Sequence, residues 1–229
     1  MGPNDQPLEA TTGEKAGEVV AIALNAVPIA GGVMSDIAGA IISKRQNRRL
    51  NQFLFTLAEN LTSLESRVNS DFLHAEDFQD LAEDVFSKAA ETRQQEKLDA
   101  LRAIFVNTVL SDSPTYDEAS EIVELINGWQ PRHIILMHIL ADPAAADKQM
   151  GNVVGLGGGL TTSTSTILHK LLPEWDDDQI DRTWKELHDA QIHRTPGTKT
   201  MITDQGINQL HNRLTDFGKK VARYLVVPE

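Results

Sequence analysis

The stretch from Glu18 to Asn69 constrains the fold more than any other part of this chain, because it joins an apolar segment, a basic cluster and a heptad pattern. In its last part, large apolar residues recur in alternating steps of four and three. This is the a/d pattern of a helix that packs lengthwise against another helix, within the chain or in a second copy. The residues of this leucine seam are Leu50, Leu54, Leu57, Leu61, Leu64 and Val68.

The apolar segment Val19–Ile42 has about the length of a membrane span. Its Val, Ile and Leu residues favour insertion by about 3 to 6 kcal/mol, and Asp36 opposes it by up to about 3 kcal/mol. Pro28 interrupts the segment, so we expect two helices that fold against neighbouring helices. The alternative is a membrane-inserting or oligomerising hairpin. Small residues that allow close helix packing recur every four positions, at Gly31, Ser35, Gly39 and Ser43.

A basic cluster follows the apolar segment directly. Beside such a segment, basic side chains are candidates for contact with anionic lipid headgroups, although a solvated helix face is the alternative. The candidate lipid or nucleic-acid contacts are Lys44, Arg45, Arg48 and Arg49 in the cluster, with Arg194 and Lys199 later in the chain.

Composition limits the class of protein. With 229 residues, 41% of them hydrophobic, the chain can bury a substantial core. Its net charge of -12 opposes association with nucleic acid and with anionic membranes. The chain has no cysteine, which excludes disulfides and thiolate chemistry and fits a cytoplasmic protein, with peripheral membrane contact on activation. Residues 1–17 are polar, and we expect a flexible tail rather than a signal peptide.

Helical periodicity continues beyond the leucine seam. Apolar residues at three-four spacing predict a helix from about Glu76, a stripe from Leu98 to Val109, and a helix over Thr115–Asn127. No segment in this part alternates as a strand does. Residues 18–128 are therefore predicted to form an α-helical bundle.

The remaining residues, 129–229, change in character. We predict a helix from Pro131 to Leu140, a glycine-rich loop to Leu160, and a helix over Thr161–Leu172. A capping box at Asp176 then starts a helix to Ala190 that buries Ile180, Trp184 and Leu187. The segments predicted beyond it are Gln191–Thr195 paired with Lys199–Thr203 as a β-hairpin, and a last helix capped by Thr215.

This order of elements resembles a winged-helix domain. The resemblance is carried by DDDQIDRTWKELHDAQI, by the wing-like IHRTPGTKTMIT and by the tail LTDFGKKVARYLV, which is similar to the LTxxG helix start found after the wing in many bacterial winged-helix proteins. The chain as a whole resembles uncharacterised bacterial helical proteins with a winged-helix-like C-terminal domain. The resemblance implies such a domain over residues 129–229.

The residues do not assemble a recognisable reactive site. The GLGGG run follows no predicted strand and completes no phosphate-binding motif. His133 and His138 are five residues apart, as are His188 and His193, which places each pair on different sides of a helix. No GxSxG elbow is present. We therefore expect no catalytic, cofactor or metal site, and a protein that is not an enzyme.

The helix before the wing contacts the major groove in winged-helix transcription factors, where it needs basic and amide side chains. Here Glu174–Asp189 contains seven acidic residues against Arg182 and Lys185, a net charge of -5 from 2 minus 7. Phosphates would be repelled by such a helix. A winged helix used for protein contacts is the better interpretation.

Taken together, the sequence predicts a mainly α protein, with an N-terminal helical bundle followed by a winged-helix-like domain that contains a small β-hairpin. We expect a non-enzymatic interaction protein that forms a homo-oligomer through the leucine seam and the small-residue face, with a possible protein partner on the C-terminal domain. A sharper variant is a membrane-perturbing effector that releases its apolar segment, by analogy with bacterial defence proteins. The alternative is a DNA-binding transcriptional regulator.

Overall fold

The computed structural model describes residues 44–73, 75–110, 115–154, 162–202 and 209–227. The predicted tail 1–17 and the apolar segment Val19–Ile42 lie outside the described residues. The described chain is mainly helical, as predicted. It divides into two compact units, of which the first ends at Glu124 and the second comprises Leu125–Val226.

The first unit contains helices joined by short connections. A 3-10 helix over Glu65–Arg67 follows the first of them. The helices over Glu76–Glu91 and Gln95–Val109 are separated by three residues, Thr92 to Gln94. The α-helices are α1 (Lys44–Ser63), α2 (Ser70–Leu73), α3 (Glu76–Glu91), α4 (Gln95–Val109) and α5 (Tyr116–Gly128), the last of which continues into the second unit.

The leucine seam of α1 packs within the chain. Helix α1 contacts α3 and α4, and the seam residues Leu50, Leu54, Leu57, Leu61 and Leu64 are all buried. The predicted helix extends too far, because α1 ends at Ser63 and Val68 lies beyond the 3-10 helix, where it is half-buried. Beside the seam, Phe53 is buried and Phe55 is 60% exposed.

Aromatic packing joins these helices at the centre of the first unit. Phe86 is fully buried on α3, with its ring centroid 5.4 Å from that of Phe105 on α4 and 6.0 Å from that of Phe53 on α1. Phe105 in turn lies 5.7 Å from Phe78, which meets Phe72 edge-on at 5.8 Å. Inclined and edge-to-face rings at these distances add to the free energy of burial.

The second unit has shorter elements and two short strands. Strands β1 (Thr162–Ser163) and β2 (Met201–Ile202) pair antiparallel, with Thr162 opposite Ile202. The helices are α6 (Pro131–Ala141), α7 (Pro143–Gln149), α8 (Thr164–Leu171), α9 (Asp177–Asp189), α10 (Gln209–Asn212) and α11 (Asp216–Tyr224).

Helix α6 is the centre of the second unit. It contacts α7, α9, α10 and α11. Its apolar residues cover most of its circumference, which is the pattern of a helix surrounded by other elements. The carbonyl of its last residue, Ala141, has no partner within the helix and accepts a hydrogen bond from His211 Nδ1–H at 2.9 Å. The buried apolar residues of α6 are Ile134, Leu136, Met137, Ile139 and Leu140.

The predicted β-hairpin is wrong. In the described part of the chain, Met201–Ile202 pairs with Thr162–Ser163, and the segment after α9 forms a bridge between His193 and Leu214. The reason is that the backbone groups of this segment are already used. Ile192 N–H donates to the Leu187 carbonyl at 2.9 Å, and the Ile192 carbonyl accepts from Thr215 N–H at 2.9 Å.

Helix α7 lies where the sequence predicted only a loop. Asp142 caps it, since its Oδ1 accepts from Ala145 N–H at 2.9 Å, and Pro143 occupies the first helical position. The Asp-Pro pair is therefore a helix start, which the small and glycine-rich residues around it obscured.

Candidate interaction surface

Helix α9 is amphipathic and begins at a capped residue. Asp176 Oδ1 accepts a hydrogen bond from Gln179 N–H at 2.7 Å, which satisfies one of the unpaired donors of the first turn. The cap and the inward face agree with the sequence prediction. The buried residues are Ile180, Thr183, Trp184 and Leu187.

The opposite face of α9 is exposed and mainly acidic. Lys185 is paired with Asp189 at 2.5 Å, and the other exposed basic residue of the helix is Arg182. We call the exposed carboxylates of this region the acidic face: Glu174, Asp176, Asp177, Asp178, Asp181 and Asp189. Several like charges on one surface produce a field that attracts cationic groups and repels phosphates.

At its inner edge, the acidic face borders a charged cluster. Arg132 Nη2 donates to both oxygens of Glu186, at 2.9 and 3.3 Å, and His133 Nε2 lies 2.6 Å from Glu186 Oε2. Burial acts to raise the pKa of Glu186, but the hydrogen bonds from Arg132 and His133 outweigh it, and the pKa is lowered. Glu186 therefore stays ionised and joins α9 to the start of α6.

The same cluster defines the tautomer of His133. Its Nδ1 accepts from Gln130 N–H at 2.8 Å, as part of a capping box at the start of α6. Nε2 therefore carries the proton and donates to Glu186. Because both ring nitrogens are engaged, His133 has a structural role and does not present a nitrogen to a substrate.

The LTxxG tail fixes the position of the chain after α9. Thr215 Oγ1 accepts from Gly218 N–H at 2.8 Å and donates to the Gln191 carbonyl at 2.6 Å. A Cβ atom at Gly218 would lie 2.0 Å from the Ile192 carbonyl oxygen. Glycine is therefore required for the close approach of α11 to this segment.

The structure gives the predicted basic contacts different roles. Arg194 is exposed, with Nη2 3.8 Å from Asp216 Oδ1, and Lys199 is exposed as well. Arg48 is exposed, whereas Arg49 Nη2 donates to the Ala90 carbonyl at the end of α3 at 2.9 Å. Arg49 thus stabilises a helix terminus. The side chains of the other two, Lys44 and Arg45, lie outside the described part of the structure.

The predicted self-association residues fall into two groups. The leucines of the seam contact the first unit's own helices, so their use between chains would require α1 to separate from α3 and α4. The small-residue face, at Gly31, Ser35, Gly39 and Ser43, lies outside the described residues. Self-association through either group stays a prediction.

Two features are absent from the described residues. No group of three or more His, Asp and Glu side chains there is arranged to hold a metal ion. No helix within the described ranges combines the length and apolar character needed to cross a membrane.

Comparison of the chain with protein-family models, with curated proteins and with solved structures found no match. The functional assignment therefore depends on the residues and geometry described above.

Sequence reasoning missed the Glu186 cluster. Glu186 and His133 are 53 residues apart, and no local spacing connects them. The LTxxG run indicates that Gly218 has a special role. It does not predict that the glycine packs against the backbone of Ile192.

Proposed function

We propose that the protein is a non-enzymatic interaction protein whose acidic face binds a basic partner. The observation that carries the proposal is the outward surface of α9, where exposed carboxylates outnumber exposed basic side chains. Single exposed ion pairs contribute little to affinity. A surface with an excess of one sign nevertheless steers an oppositely charged partner and selects against one of the same sign.

Binding of a Lys- and Arg-rich peptide tests this proposal, with random-sequence duplex DNA as the competing ligand. At low salt, fluorescence anisotropy should show peptide binding that weakens as salt is added, because exposed charges are screened. The labelled duplex should show no change over the same protein concentrations. Binding of the duplex and not the peptide would overturn the proposal.

A second copy of the chain is the first partner to test. The cluster at Lys44–Arg49 is basic, and Arg48 is exposed on α1. Contact between this cluster and the acidic face of another copy would produce a homo-oligomer without opening the leucine seam. Light scattering should then give a mass above 25.2 kDa at low salt that falls towards it as salt is raised. A monomer mass at every salt concentration would exclude a second copy as the partner, and the proposal would then require a different basic protein.

The membrane variant of this function concerns Val19–Ile42. We propose that this segment perturbs a membrane when it is released, because its apolar length approaches that of a span and the basic cluster follows it. Leakage of dye from anionic vesicles should be faster with the full chain than with a chain lacking residues 1–43. Equal leakage would remove this variant.

The alternative function is that of a winged-helix transcriptional regulator. One observation favours it: β1 precedes α8 and pairs with β2, which follows α9, and the LTxxG tail then starts α11. The capped helix α9 followed by the LTxxG start of α11 agrees with the resemblance, whereas the hairpin that it implies is not formed among the described residues. The acidic face argues against it, since nonspecific DNA binding depends mainly on phosphate contacts. A shift of random-sequence duplex DNA at low salt would favour the regulator.

A further inference from the structure

His193 holds the chain that leaves α9 against the helix itself. His193 is only 2% exposed, and its ring lies over the indole of Trp184 with the ring centroids 4.1 Å apart. Nε2–H donates to the Trp184 carbonyl at 3.0 Å, and Trp184 Nε1–H donates to the Thr195 carbonyl at 2.7 Å. A backbone bridge joins His193 to Leu214. We call residues 191–202, which follow the helix, the latch segment.

The second ring nitrogen of His193, Nδ1, is buried, and the Thr195 carbonyl beside the ring already accepts from Trp184 Nε1–H at 2.7 Å. Among the described residues, none makes a hydrogen bond to Nδ1. The titratable and charged groups that act on the ring are His188 on α9, at 5.7 Å between ring centroids, and Arg213 beside Leu214. Both oppose a further positive charge. The face of Trp184 favours a cation, but it offers no acceptor for a second N–H.

Burial is the largest influence on this imidazole. It lowers the pKa of His193 from 6.5 to about 4, an effect that the backbone carbonyls of Trp184 and Thr195 offset only in part. The ring is therefore neutral in the closed unit near pH 7. Once the ring is exposed to water, its pKa returns towards the ordinary value, and it takes up a proton more readily.

We propose that His193 is an acid-sensitive latch, in which protonation of Nδ1 requires the ring to leave Trp184 and so releases the latch segment from α9. The released state binds a proton that the closed state excludes. The closed state is therefore fully stable above pH 6.5 and loses stability as the pH falls from there towards 4. Between pH 7.5 and pH 5, the ratio of open to closed molecules should rise about 30-fold.

Amide hydrogen exchange of the full chain tests the latch at two reporters. Arg194 N–H donates to the Arg213 carbonyl at 3.0 Å, and Thr215 N–H donates to the Ile192 carbonyl at 2.9 Å. After correction for intrinsic exchange, their protection should fall about 30-fold from pH 7.5 to pH 5. The same fall in His193→Gln, which cannot titrate, would overturn the proposal.

Two controls keep the test decisive. His188→Gln removes the neighbouring imidazole and should retain the loss of protection at pH 5. If His193→Gln does not fold, the ring of His193 is titrated by NMR in the unmodified chain. A ring that titrates near its ordinary value while both amides stay protected would contradict the latch, whereas a ring that takes up protons only as protection is lost would support it.

Discussion

The two units differ in what their interiors are made of. The first unit buries leucines and a connected series of phenylalanine rings, with Thr108 as its buried polar residue among those described. The second unit buries polar side chains beside its apolar ones. They are His133, Asp147, Thr164, Thr183, His193 and Thr198, and several of them make side-chain hydrogen bonds between elements that are distant in sequence.

This difference determines what each unit responds to. Apolar packing depends on shape and volume and is insensitive to protons, so the first unit should respond mainly to loss of volume. A buried polar contact depends on protonation state and on complete hydrogen bonding, so the second unit should respond to pH and to the loss of single partners. The next four predictions test this contrast, and each measures the free energy of unfolding.

The largest effect is expected from Phe86→Ala in the first unit. Removing a fully buried ring should cost about 3–5 kcal/mol, because a cavity remains between α1, α3 and α4. The cost should be the same at pH 5 and pH 7.5. Phe55→Ala is the matched control, since Phe55 is 60% exposed on α1, and it should change stability by less than about 0.5 kcal/mol. A cost that depends strongly on pH would break the contrast between the units.

Gly218→Ala should produce the next largest effect. The added methyl group would overlap the Ile192 carbonyl, and the backbone must move, at a cost of about 1–3 kcal/mol or more. Gly128→Ala on α5 meets nothing within 4 Å and should be neutral or stabilising. Chemical denaturation of both variants checks this. A neutral Gly218→Ala would show that α11 does not lie so close to the latch segment.

Glu186→Gln tests the contrast between the units, because its effect on stability should depend on pH. Loss of the carboxylate leaves Arg132 and His133 without their partner, and we expect a cost of about 1 kcal/mol at pH 7, reduced by the partial exposure of Glu186. Since the pKa of Glu186 is lowered, its contribution is present above 4.5, its ordinary value, and is lost as the pH falls through the lowered value. The variant and the original chain should therefore converge in strong acid. A difference that grows on acidification would contradict this assignment.

The smallest effect is expected from Asp142→Ala. It removes the cap of α7 and should cost about 0.5 kcal/mol, the low end of the range for helix caps, because Asp142 is exposed. Asp142→Asn and Asp142→Ser should recover most of the loss, because both side chains can cap a helix. If all three variants were equally unstable, the charge of Asp142 rather than its cap would be responsible.

The same contrast explains how far the sequence predicts the structure. In the first unit, an apolar residue at helical spacing finds an apolar partner on a neighbouring helix, so the periodicity of Leu50–Leu64 and of Phe78–Ala89 indicates the buried face directly. In the second unit, the pairings of β2, of Glu186 and of His193 depend on which side chains meet after folding. Local propensity says little about such contacts, and the sequence therefore predicts the wrong pairing partner for Met201–Ile202.

The charge of the acidic face is predictable from the sequence, whereas the contacts that hold α9 in place are not. The acidic excess over Glu174–Asp189 and the cap at Asp176 are visible in the sequence. The attachment of α9 to α6 through Glu186, and to the latch segment through Trp184 and His193, is not.

The central claim, that the acidic face is the binding surface, is tested most directly by reversing its charge. The measurement is the affinity of a Lys- and Arg-rich peptide at low salt for the variant Glu174→Lys with Asp178→Lys, compared with Asp117→Lys with Glu121→Lys. All four residues are exposed, and both variants change the net charge equally. The acidic-face variant should lose at least about tenfold in affinity and the control less, because on this account the carboxylates that contact the peptide belong to the acidic face. Equal losses in both variants would contradict the account, since the peptide would then respond to net charge alone.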